Sequence, residues 1–169
     1  MVKYVFHRGN LKLICSLLPL FAMEPDGLTD EQIREILQKY RVVAVVGASR
    51  EPTKPAHYVP RFLMRHGYEV IPVNPFADEI LGQKVYKTLE EIPKPVDVVD
   101  VFRPSEAVYE VAQSAAKILP KVFWMQEGIY NKEAAELLKS KGITVVWNRC
   151  MMKEHNRLFN TKPYIPLGK

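Results

Sequence analysis

Residues with recognition chemistry recur in this chain where runs of β-branched residues stop. Val42-Val43-Ala44-Val45-Val46 gives way to Gly47-Ala48-Ser49-Arg50, and Val70-Ile71-Pro72-Val73 gives way to Asn74-Pro75 about one strand-helix-strand length later. Further along, Phe102-Arg103-Pro104, Gln126-Glu127-Gly128 and Asn148-Arg149-Cys150 stand in the same relation to the apolar stretches before them. Each turn carries a different tool. Gly47 permits close backbone approach, and the amides and hydroxyl of Ala48 and Ser49 suit a phosphate at a helix start. Arg50, Lys54, Arg103 and Arg149 can offset phosphate charge, arginine by gripping two oxygens. Pro75, Phe102 and Pro104 offer flat apolar surface for an adenine ring. A dinucleotide fingerprint would continue with two more glycines and close the second strand with a carboxylate for the ribose hydroxyls. Here Arg50, Pro52, Lys54 and Pro55 follow the glycine and Asn74-Pro75 closes the strand, which suits a phosphate-rich ligand better than NAD.

Other reactive side chains are read against plainer roles. His57 could meet a phosphate or move a proton, but no nucleophile or carboxylate stands at local spacing. Cys150 and His155 suggest a thiol and imidazole pair, and a thiol beside Arg149 and Lys153 would have a lowered pKa and exchange with the thiol end of a ligand; the alternative is a cysteine packed inward. Glu127 has no paired carboxylate for acid-base work. Trp124 and Trp147 read as core aromatics. No catalytic set and no metal site emerges, so a binding protein is expected rather than an enzyme.

The elements that must position these turns are legible in the periodicity. Thr29-Asp30-Glu31-Gln32 is a capping box, and Ile33, Ile36, Leu37 and Tyr40 form the apolar stripe of the helix it starts. Val59, Phe62 and Leu63 predict a second helix ended by Gly67, and residues 81–86 a short third strand or edge segment. Residues 96–102 read as a central parallel strand despite Asp97 and Asp100. Ser105 is placed as the cap of the next helix, whose inward stripe is Val108, Val111, Ala112, Ala115, Ala116 and Leu119. Strand 121–125, a helix capped by Asn131 and ended by Gly142, and strand 143–147 complete the alternation. The fold class is therefore α/β: a single Rossmann-like, doubly wound, mainly parallel sheet with helices on both faces. Residues 1–22 read as a loosely attached leader, 23–155 as the domain and 156–169 as a C-terminal extension, with the tail from Lys153 as an extended wrap.

Composition narrows the setting. Lys plus Arg number 24 against 19 acidic residues, but Lys3, Arg8 and Lys12 lie in the acid-free leader, so the body is nearly balanced and no nucleic-acid partner is implied. The leader's apolar stretch is broken by Lys12, Ser16 and Pro19, too short and interrupted for a membrane span and a poor signal peptide. Two cysteines, Cys15 and Cys150, make neither a disulfide framework nor a zinc site. A cytoplasmic location is expected.

Five motifs in order, VVAVVGAS, GYEVIPVNP, VDVVDVFRPSE, FWMQEGI and NRCMMKEH, give the stretch 40–155 a resemblance to the single-domain coenzyme A-binding family, whose fold is that of the CoA-binding domain of the succinyl-CoA synthetase alpha subunit. The resemblance implies that Gly47, Ala48, Ser49, Asn74, Pro75, Phe102, Arg103, Pro104, Gln126, Glu127 and Gly128 line a CoA site, to which the cations Arg50 and Lys54 are added from the residue chemistry. Two departures limit it. The synthetase domain has a lysine in the loop where this sequence has Phe76-Ala77-Asp78, and the synthetase needs a further domain with a phosphorylated histidine, so ligase activity is not implied. The expected function is a CoA-binding carrier, sensor or CoA-presenting partner, with CoA or acyl-CoA as ligand and a protein partner or homo-oligomer left open. The competing reading is a small NAD(P)-linked or other nucleotide-dependent enzyme using the same strand ends.

Overall fold

The chain enters its first helix through a reciprocal cap: the Gln32 amide donates to Thr29 Oγ1 at 3.2 Å and the Thr29 amide donates to Gln32 Oε1 at 2.9 Å. This computed structural model describes residues 23–161, so the expected leader lies outside the described residues. Helix α1 (Asp30–Lys39) leads directly into strand β1 (Val42–Val46), and α2 (Pro55–Arg65) connects it to β2 (Glu69–Val73). A hairpin of β3 (Glu79–Ile80) and β4 (Gln83–Lys84) precedes β5 (Val98–Val101), α3 (Val108–Ile118), β6 (Val122–Met125), α4 (Lys132–Ser140), β7 (Thr144–Val146) and α5 (Met151–Phe159).

Five strands form one parallel sheet in the order β2-β1-β5-β6-β7. Residues alternate between its faces, and each face has a helix layer. Val43, Val45, Val98, Trp124 and Val146 pack with α1, α2 and α5, while Ala44, Val99, Phe123 and Val145 pack with α3 and α4. Trp124 and Trp147 are both buried, as core aromatics. The expected doubly wound α/β fold is observed. Its strand order reverses between β1 and β5, so that is where the two halves of the chain leave the sheet in opposite directions and open a crevice.

Residues 81–86, expected as a short strand or edge segment, hold β4 of the antiparallel β3-β4 hairpin, which is joined to the edge strand β2 through a parallel bridge between Val73 and Tyr86. Three local expectations differ from the structure. Ser105 does not cap α3, because Ser105–Ala107 forms a 3-10 turn first and its hydroxyl accepts the Tyr130 amide instead. Leu119 is 59% exposed: it ends α3 in the left-handed region with φ 49°, where the following Pro120 forbids another turn. The stretch from Lys153 is not an extended wrap through Phe159, since Met151, Met152, His155 and Leu158 bury one face of α5.

Candidate functional site

Register brings the strand ends level. Val46 pairs with Val73 on one side and Val101 on the other, and Val101 pairs with Met125, so Gly47, Asn74, Phe102 and Gln126 emerge side by side at the carboxyl rim. The turn after β1 demands glycine. Gly47 has φ +86°, and a Cβ there would lie 2.7 Å from the Phe102 carbonyl oxygen and 3.2 Å from Arg103 Cδ. Only backbone without a side chain lets the β1 and β5 loops touch.

Three clefts open around Phe102, which lines all of them. The first, of about 670 Å³, is formed by Gly47, Ala48, Ser49, Arg50, Lys54 and Asn74 among others. It faces the start of α2, whose first turn carries no acidic residue and whose N-cap is Lys54. Partial positive charge from the helix start and the cations Arg50 and Lys54 meet in one place, where Glu51 on the same wall pairs with Lys54 at 2.7 Å. The second cleft, of about 420 Å³, takes Asn74, Pro75, Phe102 and Arg103, and adds Phe76, Lys87, Thr88 and Glu110. The third, of about 440 Å³, has Lys54, Pro104, Gln126 and Glu127 on its wall together with Tyr58, Ile129, Cys150 and Met152. It is the most apolar of the three. Of the expected site residues, Gly128 alone stays outside these three linings; its amide donates to Asn148 Oδ1 at 2.8 Å.

Several residues have structural work that the sequence did not reveal. The Ser49 amide donates to the Ala56 carbonyl at 3.1 Å and its hydroxyl oxygen accepts the Glu51 amide at 3.0 Å, so the hydroxyl proton is the donor it can offer. Asn74 ties two loops: Nδ2 donates to the Ala48 carbonyl at 2.8 Å and Oδ1 accepts the Phe76 amide at 2.7 Å. His57 Nδ1 lies 2.7 Å from the Ser49 carbonyl oxygen, which fixes the same loop. Arg149, expected as a phosphate cation, lines none of the three clefts, and its guanidinium is held by Asp26 at 2.8 and 2.9 Å and by Glu154 at 3.2 Å. Lys153 pairs with Glu127 across the third cleft at 2.6 Å.

Of the two readings of Cys150, the inward-packed one is observed and the reactive one is not: the residue is 8% exposed. Burial pushes the Cys150 thiol up, although backbone donors from Lys153 and Met152 and the Lys153 charge act against that. The buried Asp100 adds to the rise, while Arg149 is paired with Asp26 and Glu154. His155 does not meet the thiol either. Its Nδ1 lies 3.3 Å from Thr161 Oγ1, its ring packs against Phe62, His66 and Phe159, and burial pushes its pKa down to about 4.

Behind the third cleft sits a group the sequence could not rank. Asp100 is fully buried on β5, with Oδ1 accepting from Gln126 Nε2 at 2.6 Å and Oδ2 without a partner among the described residues. Desolvation raises its pKa to about 7, opposed by the Gln126 hydrogen bond. Among the described residues no cluster of three or more His, Cys, Asp or Glu side chains could hold a metal ion.

A switch-point crevice with a glycine turn, a helix start on its wall and an apolar branch, on a parallel sheet between two helix layers, is that of an α/β protein of Rossmann-like type. The chain belongs to the CoA binding domain family, whose match spans residues 41–156. Protein YneT of Bacillus subtilis (strain 168) is 44% identical over 124 residues, 73% of this chain and 92% of that one. A solved structure of a hypothetical protein from Pyrococcus horikoshii OT3 is 45% identical with a TM-score of 0.78, covering 82% of this chain and 98% of that one. Acetate--CoA ligase [ADP-forming] II of Archaeoglobus fulgidus is 32% identical over 115 residues, which are 61% of this chain but 17% of the ligase.

Proposed function

We propose that this protein is a reversible coenzyme A binder, a carrier, sensor or CoA-presenting partner, with the three clefts around Phe102 as its site. The observation that carries the reading is the division of chemistry among clefts that share walls. Ser49, Arg50 and Lys54 gather at the α2 start, where a pyrophosphate would be stabilised on displacing the exposed Glu51 from its 2.7 Å ion pair with Lys54. Pro104, Ile129 and Met152 line a groove that continues from it, suited to an uncharged pantetheine arm and a small acyl group. Asn74, whose amide is already engaged by the loops, gives no carboxylate for a nicotinamide dinucleotide ribose. Family membership supports the same ligand. A cytoplasmic setting, where CoA is available, belongs to this reading; among the described residues no helix is long and apolar enough to cross a membrane.

Calorimetry with CoA, NAD and NADP tests the assignment. CoA is expected to bind tightest, and tighter binding of NAD or NADP would replace the reading with that of a nucleotide-dependent enzyme. Arg103, exposed at the junction of the second and third clefts, supplies the residue control. Arg103→Ala should weaken CoA by about 1–3 kcal/mol through loss of a charged hydrogen bond, with little change in the stability of the free protein.

A further inference from the structure

Gln126 closes the third cleft with a side chain that has two unlike ends. It lines the groove beside Cys150 and Met152 yet is 3% exposed, so one end of its carboxamide faces the groove and the other lies against Asp100. Asp100 stands on β5 in register between Val45 of β1 and Trp124 of β6, and its carboxyl shares the sheet face that α1, α2 and α5 cover. There Oδ1 meets the Gln126 amide at 2.6 Å, while Oδ2 has no partner among the described residues. An ionised carboxylate would leave a charged oxygen desolvated and unpaired; a neutral acid leaves a carbonyl oxygen, at lower cost. The contact length agrees, being short for an N–H donor and ordinary for an O–H donor.

The two ends of a carboxamide have the same shape, so turning it over disturbs no packing but exchanges donor for acceptor. With Asp100 ionised, Gln126 gives Nε2 to the carboxylate, and the groove meets Oε1, an acceptor. With Asp100 protonated, the acid O–H donates to Oε1, and the groove meets Nε2 and its N–H. An acid hidden behind the most apolar of the clefts thus decides which hydrogen-bonding group that wall offers.

We propose that Asp100 and Gln126 form a proton-coupled donor switch, in which the protonated acid turns the Gln126 N–H into the third cleft to bind a carbonyl oxygen on the pantetheine or acyl-pantetheine arm of the ligand. The inference rests on the CoA reading and deepens it. Binding takes up one proton from solvent at Asp100 Oδ1, and no bond of the ligand breaks. Gln126 exchanges its Nε2 bond to the carboxylate for one to the ligand, and accepts from the acid instead. Asp100 is a positioning residue, since it touches Gln126 and not the ligand. Cys150, Lys54, Tyr58, Arg103 and the ion pair of Glu127 with Lys153 are the charged and titratable groups on the cleft. Of these, Cys150 interacts electrostatically with Asp100. On the same sheet face α1 contributes Ile33, Ile36 and Leu37, and His155 of α5 packs against Phe62 and His66.

Calorimetry of CoA and acetyl-CoA in buffers of different ionisation enthalpy counts the protons taken up on binding. Because burial raises the Asp100 pKa to about 7, uptake through this site should be small at pH 6 and approach about one proton at pH 8.5. Affinity should fall by about tenfold per pH unit above neutrality. Protons exchanged by the ligand's own phosphates and by the other cleft groups are common to parent and variants and cancel in the difference. Asp100→Asn has an N–H for Gln126 Oε1 at every pH, and should lose both the extra proton and the fall in affinity. Gln126→Leu has no amide to turn; it should bind about tenfold more weakly at pH 6 and take up no proton through Asp100. Uptake with CoA itself assigns the carbonyl to the pantetheine amides, and uptake confined to acetyl-CoA assigns it to the thioester. An Asp100→Asn protein whose proton uptake and pH profile match the parent's overturns the proposal, because an acid that merely props the loop shifts affinity alike at every pH. Uptake that survives in Gln126→Leu overturns it too. If neither ligand binds the parent at any pH, the CoA reading itself fails and this inference falls with it.

Discussion

Asp100 shows how much one side chain can carry that its neighbours in sequence conceal. Both aspartates of the β5 stretch looked alike as interruptions of a valine run, yet Asp97 Oδ2 accepts the amides of Arg41 and Val42 at 3.1 and 3.0 Å while Asp100 is fully buried. Its folded pKa of about 7 lies above the ordinary value of 3.8, so between those two values the native state holds a proton that the unfolded chain releases. Stability from this site is therefore full below the unfolded pKa and declines as pH rises through about 7. Asp100→Asn keeps an acceptor for Gln126 Nε2 and cannot ionise. Urea unfolding at pH 5 and pH 8 should show the variant more stable at the higher pH, by on the order of 1–3 kcal/mol, and much closer to the parent at the lower. An equal effect at both values would mean that Asp100 does not titrate in this range. Gly47, Asn74 and Arg103 were legible at the same scale because strand ends announce themselves. Lys87 was not, since nothing in a helix or strand period marks a lysine returning from a hairpin.

Among elements, the segment before α1 matters more than its irregular sequence suggests. Asp26 is held by Arg149, the Trp147 indole donates to the Glu24 carbonyl at 2.7 Å, and the Leu28 carbonyl accepts from Arg149 at 3.1 Å. The start of the described chain is thereby fastened to the far edge of the sheet and to α5. The Asp26 side chain is fully buried and that of Arg149 only 21% exposed, so removing the cation leaves an uncompensated buried carboxylate. Arg149→Ala should cost about 2–4 kcal/mol in denaturant unfolding while leaving CoA affinity within twofold, which separates it from Arg103. A large loss of affinity without loss of stability would return Arg149 to the site. Sequence placed Arg149 at the rim because it follows β7, and geometry agrees; what sequence lacked was the partner 123 residues away. The α5 helix was hidden for a related reason. Met151, Met152, His155 and Leu158 keep a helical spacing, but they follow Asn148-Arg149-Cys150 without a capping residue, and Pro163 and Pro166 soon after favour an extended reading.

The whole molecule follows from alternation: apolar runs of five residues or so separated by amphipathic stretches leave few arrangements besides a parallel sheet between two helix layers, and the register of that sheet brings Gly47, Asn74, Phe102 and Gln126 to one rim. What alternation cannot give is the division of that rim into clefts, because the walls come from the hairpin, α3 and α5 as much as from the strand ends. Cys150 reports on the third of these walls. It is 8% exposed, lines the groove with Gln126 and Met152, and burial raises its thiol pKa. Alkylation by iodoacetamide, followed by digestion and mass measurement of the Cys150 peptide, should accordingly be slow at neutral pH and rise by about tenfold per pH unit until the thiolate is fully formed. If the pantetheine arm occupies the groove, saturating CoA slows the reaction further, whereas adenosine 3′,5′-bisphosphate, which lacks the arm, leaves it unchanged. Slowing by both ligands would point to a change in the loops around Phe102 instead of coverage by the arm. Binding of CoA with no slowing at all would direct the arm away from Cys150 and leave the apolar groove to another occupant.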